Sequence, residues 1–484
     1  MVSPAPGAPA DLVVDLDHTL VRTDTLLEQF VGLVFRQPLT ALLVLLNLLG
    51  GRARFKARLA ALHALDPASL PYNEPLLIFL RAQRAAGRRL HLVTAADQSI
   101  ADAVGSHCGV FHSIEGSDGT TNLKGQAKAA RLAARFPEGF AYAGDSAADL
   151  KVWARSAGVV LVGVEAGVAR RARGLGLPVE EEFSKPRAGF STWRRALRLH
   201  QWAKNLLVFA PLLLSHEYVN PASVLLSLTA FVALGLVASA TYLINDLSDL
   251  AADRRHDVKR GRPLAAGDLR IGWAVAAVAL LLIASAALAV ATSPILLIGL
   301  CAYGTLTLAY TFGLKRQALV DVATLAGLYT LRIIVGAATI GVPQSIWLLT
   351  FSLFLFFSIS LAKRYAEIHN LLAGGHASGV NGRGYRTEDG PAVLALGVAS
   401  GVASTLIVVL YLMEEAFPSN IYAHPNWLWI APFLLNLWTA RIWLTAGRGE
   451  LDEDPVAFAL KDRFSWVLLA PLILGFVLAT IVWP

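Results

Sequence analysis

Beyond residue 190 the sequence is a succession of apolar runs, each about twenty residues long and separated by short polar loops, and that pattern allows few folds. In lipid every backbone polar group must be satisfied within the spanning segment, so runs of this length cross as helices. Nine runs are read, centred near residues 210, 233, 281, 303, 331, 352, 403, 434 and 474. A mean hydropathy of +0.54, with 55% hydrophobic and 16% charged residues over 484 positions, is too apolar for a soluble chain of this length. The apolar matter is uneven, because residues 1–185 carry ordinary charge density. The sequence therefore divides into a soluble module over residues 1–175, a Pro/Gly and acidic linker over 176–190, and a membrane module over 191–484.

Lys and Arg concentrate in the stretches 187–204, 254–270, 315–316, 363–386 and 441–463, whereas "SHEYVN", "ATSP", "GVPQ" and "MEEAFPSNIYAHPN" hold none. By the positive-inside rule the basic loops face the cytoplasm and the C-terminus faces out, which explains the pI of about 9.4 without nucleic acid. The opening "MVSPAPGAPADLVVDLDHTL" lacks the features of a secretory signal, so the soluble module is expected in the cytoplasm and the whole chain in a bacterial inner membrane. Cys108 and Cys301 fall in different modules and offer neither a disulfide framework nor a zinc site.

After the second run the charge is concentrated in "NDLSDLAADRRHDVKRGRPL", residues 245–264. Asp246, Asp249 and Asp253 lie three and four residues apart, so a helix continuing out of the membrane places them on one face beside Asn245. Carboxylates stacked in this way repel unless a cation sits among them. Hard oxygen ligands in a short row suit Mg²⁺, which takes its remaining ligands from water and phosphate. Arg254, Arg255, Lys259, Arg260 and Arg262 follow and are placed to hold the phosphate. A solvated, charge-balanced loop is the plainer reading of the same residues.

This stretch resembles the first Asp-rich motif of the UbiA-type intramembrane prenyltransferase superfamily. "LRLHQWAKNLLVFAPLLL", with Lys204, looks like that superfamily's entry into span one. "YTFGLKRQALVDV", with Tyr310, Lys315, Arg316 and Asp321, looks like its second motif. The resemblance implies nine helices around a cavity open to the cytoplasm. It also carries a departure: members that use an allylic diphosphate usually carry D-x-x-x-D in the second motif, and here Leu325 stands four residues after Asp321. Together with "LYTLRIIVGAA" and "LAKRYAEIHNLLAGG", this variant is more similar to the decaprenyl-phosphate phosphoribosyltransferase branch, which takes phosphoribosyl diphosphate as donor and a polyprenyl phosphate as acceptor. Arg332, near the middle of span five, is either a substrate-binding cation or a partner of Asp321 that holds helices together. Lys363, Arg364 and Tyr365, at the end of span six, are either phosphate-binding groups or topology anchors.

In residues 11–165 short apolar runs, "LVVDLD", "RLHLVTAA", "FAYAGD" and "AGVVLVGVE", alternate with helical stretches and predict a parallel α/β sheet with its chemistry beyond the carboxyl ends of the strands. "DLDHTL", "TAAD", the helix "NLKGQAKAARLAARF" and "GDSAAD" resemble, in order, the motifs of the haloacid-dehalogenase (HAD) superfamily of phosphatases. The resemblance implies a Rossmann-like fold with a helical cap at about residues 20–88. It assigns Asp15 as nucleophile, Asp17 as acid and base, Thr94 and Lys124 as phosphoryl-binding groups, and a Mg²⁺ held by Asp15, Asp145 and Asp149, with Asp17 in the same metal-binding set. Within the cap, "QFVGLVFRQPLTALLVLLNLLGG" is broken by Arg36, Gln37 and Pro38, so neither half spans a bilayer. It reads either as a buried cap core or as an interfacial hairpin dipping into the inner leaflet.

The expected architecture is thus an α/β HAD domain followed by an all-α membrane domain of nine helices. The expected function is bifunctional, with Mg²⁺ in both modules: phosphoribosyl transfer to a polyprenyl phosphate, then removal of the 5-phosphate. An aromatic prenyltransferase with a regulatory or inactive HAD domain is the alternative within the same fold, and a transporter is the alternative of a different class. The sequence leaves prenyl length and oligomeric state open.

Overall fold

The computed structural model describes residues 9–118, 120, 122–184, 188–373, 383–418, 422–451, 458 and 461–480. The chain forms two compact units, one of residues up to 197 with 242–278, the other of residues 198–241 with 279 onward. The Asp-rich segment therefore packs with the N-terminal domain, although in sequence it lies between two membrane runs.

The first unit is built on a six-stranded, wholly parallel sheet. Its strands are β1 (Asp11–Val14), β2 (Arg89–Asp97), β3 (Ser113–Ser117), β4 (Ala141–Gly144), β5 (Gly158–Val162) and β6 (Val179–Phe183), in the order β3-β2-β1-β4-β5-β6. Side chains alternate across each strand. On β1, Leu12 and Val14 enter a core with Leu76, Leu80 and Ile100, while Val13 enters one on the other face with Trp153 and Leu132. Burial on both faces is why these runs read as continuously apolar.

β6 corrects the domain boundary at 175 and the linker at 176–190. "VEEEF" has the charge of a linker, but Glu180 is buried against Arg88 in a two-pronged ion pair at 2.6 and 2.9 Å, so the strand closes the sheet edge. Residues 185–187 of the expected linker lie outside the described residues.

Between β1 and β2 stand the helices Thr25–Arg36, Pro38–Leu45, Arg52–Leu62 and Glu74–Ala85. The first three share a small core of Leu33, Ala41, Val44, Phe55 and Leu59. Asp24 caps the first helix by accepting from the amide of Leu27 at 2.9 Å.

Seven helices among the described residues are long and apolar enough to cross a membrane: Pro221–Ser248, Ile271–Thr292, Pro294–Phe312, Val320–Ile340, Ile346–Ala373, Thr387–Ala416 and Arg463–Thr480. The expected nine are reduced at two places. Near residue 210 the chain runs as a 3₁₀ segment, Leu199–Phe209, and then a five-residue helix, Ala210–Leu214. Pro211, which has no amide to donate, opens that helix, and no single long helix forms. Near residue 434 the helix Ile430–Gly447 exists, but it carries Asn436 and Arg441, the latter paired with Asp462 at 2.9 Å. The basic stretch 363–386 is also not all loop, because Ile346–Ala373 runs through Lys363 and Arg364; residues 374–382 lie outside the described set.

Candidate active sites

In the N-terminal domain the predicted motif residues meet at the carboxyl ends of β1, β2 and β4, where a parallel sheet exposes its strand ends. Carboxylate oxygens of Asp15, Asp145 and Asp149 lie within 4.8 Å of one another, a separation that one divalent cation can span. Their donor type, hard oxygen alone, fits Mg²⁺. The Asp149 carboxylate is held by the amides of Asp145 and Ser146 and by the Ser146 hydroxyl at 2.9–3.2 Å, while Tyr142 donates its hydroxyl to the other oxygen at 2.9 Å. Burial, with the negative charge of Asp15, pushes the Asp149 carboxyl up.

The lysine that contacts Asp15 is Lys128. Its Nζ lies 2.8 Å from an Asp15 oxygen and 3.0 Å from the Tyr142 hydroxyl, and the side chain is almost fully buried. Lys124, the lysine chosen from the sequence, precedes the helix Gln126–Arg135 and lines an adjoining cavity of about 220 Å³. Asp17 and Asp24 reach the same cavity, as do Lys56, Arg52 and Asn122. Lys56 donates to the Ala95 carbonyl at 2.6 Å and to Asn122 at 3.1 Å, and burial lowers its pKa. Buried Gln29 also lines the cavity. Its amide nitrogen donates to the His63 carbonyl, while its oxygen has no hydrogen-bond partner.

Asp17 is not part of the three-carboxylate cluster of Asp15, Asp145 and Asp149. One of its oxygens accepts from the amide and the hydroxyl of Thr25 at 2.9 and 2.8 Å. Burial, with the charge of Asp24 beside it, pushes its carboxyl up to about 7, so the proton that an acid needs is retained near neutrality. Thr94 is buried, and its hydroxyl accepts from the amide of Ala96 at 3.0 Å, shaping the end of β2.

The Asp-rich segment is bent at its middle carboxylate. The helix Pro221–Ser248 stops, Asp249 occupies the joint, and Leu250–Arg255 resumes, where one continuous helix was expected. Asp246 and Asp253 are nevertheless brought together: a single Nη of Arg262 lies 3.1 Å from Asp246 and 2.6 Å from Asp253. A guanidinium nitrogen thus occupies the point on which both carboxylates converge, the point that a divalent cation would need. Asn245 and Asp249 are half-buried nearby, and Lys259 and Arg260 are exposed on the following turn.

This segment is also fastened to the stretch between β1 and β2. Arg254 forms a buried two-pronged pair with Glu28 and donates to the Ala265 carbonyl, and Arg255 reaches Asp66 at 2.7 Å. Gly267, three residues after this segment, has φ +73°, and a Cβ there would stand 2.6 Å from Cβ of Arg22. Only glycine satisfies both the backbone angle and that approach.

In the second unit, Asp321 is fully buried and its oxygens are taken. Arg364 donates at 2.8 Å, Tyr385 at 2.6 Å and Arg383 at 3.4 Å. Arg364 also pairs with Glu367. Arg332 does not pair with Asp321. Its guanidinium donates to Asn205 at 2.9 Å, to the Leu328 carbonyl at 2.6 Å and to the Tyr303 hydroxyl at 2.8 Å, lying over the rings of Tyr303 and Tyr329. Lys204 lies over Tyr329 as well. Tyr310 accepts from Arg383, Lys315 and Arg316 form a 3₁₀ turn, and Lys363 and Tyr365 flank Arg364 on its helix.

Residues 206–469, more than half of the chain, match the pattern of the UbiA prenyltransferase family. The chain belongs to that family. With seven helices long and apolar enough to cross a bilayer, this UbiA-family chain is an integral membrane protein, and its N-terminal parallel sheet is consistent with a HAD-like domain. It is 41% identical over 468 residues to an uncharacterised protein, y4nM, of Sinorhizobium fredii, covering 97% of this chain and 90% of that one. It is 38% identical over 181 residues to a decaprenyl-phosphate phosphoribosyltransferase of Mycobacterium tuberculosis, covering 36% of this chain and 59% of that relative. Among solved structures it resembles a UbiA homolog from Archaeoglobus fulgidus bound to GPP and Mg²⁺, at 16% identity and TM-score 0.44, covering 60% of this chain and all of that one.

Several residues of these sites were not singled out from the sequence. Lys128 follows Lys124 by one helical turn, and spacing alone does not rank the two. Lys56, Arg52 and Gln29 lie in the helices between β1 and β2, where no motif marks them. Tyr385 and Arg383 fall within the basic stretch 363–386, but only the fold carries them to Asp321.

Proposed function

We propose that this UbiA-family enzyme transfers a 5-phosphoribosyl group from phosphoribosyl diphosphate to a polyprenyl phosphate, and that its HAD-like domain then hydrolyses the 5-phosphate. The observation that carries the first half is the state of Asp321. The second carboxylate of the D-x-x-x-D pair is missing from this motif, and the one present is engaged by Arg364 and Arg383, which Glu367 also faces, and by the Tyr385 hydroxyl. An allylic diphosphate donor with a neutral ring acceptor has no need of the further cations Lys315, Arg316 and Arg332. An acceptor that is itself an anion does, and the resemblance to a phosphoribosyltransferase points the same way.

In this reading Asp246, Asp249 and Asp253 would hold Mg²⁺, which would supply positive charge to the leaving diphosphate. An oxygen of the lipid phosphate attacks the anomeric carbon, the bond from that carbon to the diphosphate oxygen breaks, and diphosphate leaves. The nucleophile is already ionised and needs no base, so the work of the chain is positioning and exclusion of water.

In the HAD-like domain an Asp15 oxygen attacks phosphorus, and the ester oxygen leaves with the proton held by Asp17. Asp17, now a carboxylate, deprotonates the water that releases phosphate and restores Asp15. Mg²⁺ on Asp15, Asp145 and Asp149 would neutralise the phosphoryl oxygens. Lys128 fixes the Asp15 carboxylate, and Lys56 and Lys124 face the cavity where the ester would lie. Fusion in one chain supports this order, because a lipid-linked phosphosugar made by the first step stays in the bilayer to which the second site is tethered. Incubation with phosphoribosyl diphosphate labelled in the ribose, a polyprenyl phosphate and Mg²⁺ tests the transfer: label enters lipid if the reading holds. Prenylation of an aromatic acceptor without labelled lipid would instead indicate the aromatic prenyltransferase alternative.

A further inference from the structure

The segment Pro38–Gly50 is too short to cross a bilayer, yet it leaves most of its apolar side chains in the open. Ala41 and Val44 seal the small cap core, while Leu39, Leu42, Leu43, Leu46 and Leu49 point away from it, with exposures from 62% at Leu46 to 89% at Leu49. A contiguous apolar face of this kind is rare on a surface that meets only water.

Two features identify what covers it. From Gln29 to Leu65 the chain carries no carboxylate, while Arg36, Arg52, Arg54 and Arg58 are exposed at the margins of the leucine face, a match to anionic lipid headgroups around an acyl interior. In addition, the same chain supplies seven helices of membrane-crossing length, so a bilayer is always within reach.

The face is continuous with the phosphatase cavity, since Leu48 and Arg52 both line it opposite Asp17, Lys56 and Lys124. At about 220 Å³ the cavity holds a volume of roughly seven waters, enough for a phosphorylated sugar and too little for a prenyl chain. The unpartnered oxygen of buried Gln29 offers an acceptor for a sugar hydroxyl inside it.

We infer that the leucine face of Pro38–Gly50 docks into the lipid surface and holds the mouth of the cavity lined by Asp17 and Lys124 at the membrane, so that the substrate of this domain is a phosphomonoester on a lipid-anchored sugar, its head in the cavity and its tail among the leucines. The substrate half rests on the phosphatase reading above; the docking half does not.

The test uses the full-length protein in vesicles of phosphatidylethanolamine and phosphatidylglycerol. A nitroxide on Leu43→Cys, in a Cys108→Ala, Cys301→Ser background, is expected to be relaxed by oxygen and shielded from a water-soluble nickel chelate, while one on Ala130→Cys shows the reverse. A Leu43 label open to the chelate overturns the docking. A label shielded from both reagents means that protein, such as a second copy, covers the face, and also overturns it. Separately, the combined Leu39→Ser, Leu43→Ser, Leu49→Ser variant is expected to lose at least about tenfold in kcat/KM on a prenyl-linked sugar phosphate in vesicles, while its hydrolysis of p-nitrophenyl phosphate is unchanged. Equal loss on both substrates overturns the substrate half. A wild-type protein that hydrolyses neither overturns the phosphatase reading, with the Leu43 label still deciding the docking.

Discussion

Two carboxylate clusters in one compact unit, both assigned to Mg²⁺, are prepared for it differently. Asp15, Asp145 and Asp149 are set by backbone amides, by Tyr142 and by Lys128 at the side, and their oxygens stand within 4.8 Å of one another. Asp246 and Asp253 instead close on Arg262, whose guanidinium sits between them. In the proposed transfer this arginine would act as a latch that holds the repelling carboxylates together and gives way to a metal-bearing diphosphate, its guanidinium then meeting the phosphate.

The largest effects should separate the clusters by activity. Asp15→Asn is expected to lower hydrolysis of a phosphomonoester by more than about 1000-fold, with transfer of label into lipid intact and the product retaining its 5-phosphate, read by chromatography of the released sugar. Lys128→Ala should cost about 100-fold in kcat, while Lys124→Ala should act mainly on KM. Equal effects would mean that the contact of Lys128 with Asp15 is not the one that matters.

Stability comes next. Glu28→Ala strands Arg254 in a buried position and should cost about 3 kcal/mol, measured by denaturant unfolding of the detergent-solubilised protein; Glu28→Gln, which keeps one acceptor, should cost less. The smallest effect sharpens the comparison most. Arg262→Ala leaves Asp246 and Asp253 facing each other without a cation, so Mg²⁺ should raise the melting temperature of this variant by more than it raises that of the wild type. If the two rise equally, Arg262 is not a latch.

The N-terminal fold was legible because a parallel sheet buried on both faces writes each strand as an apolar run and delivers its chemistry to the strand ends, where Asp15, Thr94 and Asp145 stand. β6 was not legible, because a strand whose charges are satisfied by Arg88 looks like a linker until its partner is placed. Hydropathy also cannot register a helix interrupted at Pro211, or one that keeps Arg441 by pairing it with Asp462. The proposed pairing of Arg332 with Asp321 could have been rejected at once: eleven residues along one helix separate them by roughly 16 Å, beyond the reach of both side chains. The true partners, Asn205 and Tyr303, lie 127 and 29 residues away in sequence, and no local pattern links them.

The central claim is that the Asp-rich segment builds a lipid-linked phosphosugar and the Asp15 site trims it. The most direct measurement follows ribose-labelled phosphoribosyl diphosphate into lipid with a polyprenyl phosphate and Mg²⁺, for the wild type, Asp249→Ala and Asp15→Asn. The account predicts labelled ribose without its 5-phosphate for the wild type, no labelled lipid for Asp249→Ala, and lipid-linked 5-phosphoribose for Asp15→Asn. It is contradicted if the wild type places no label in lipid, or if Asp15→Asn and the wild type yield the same product.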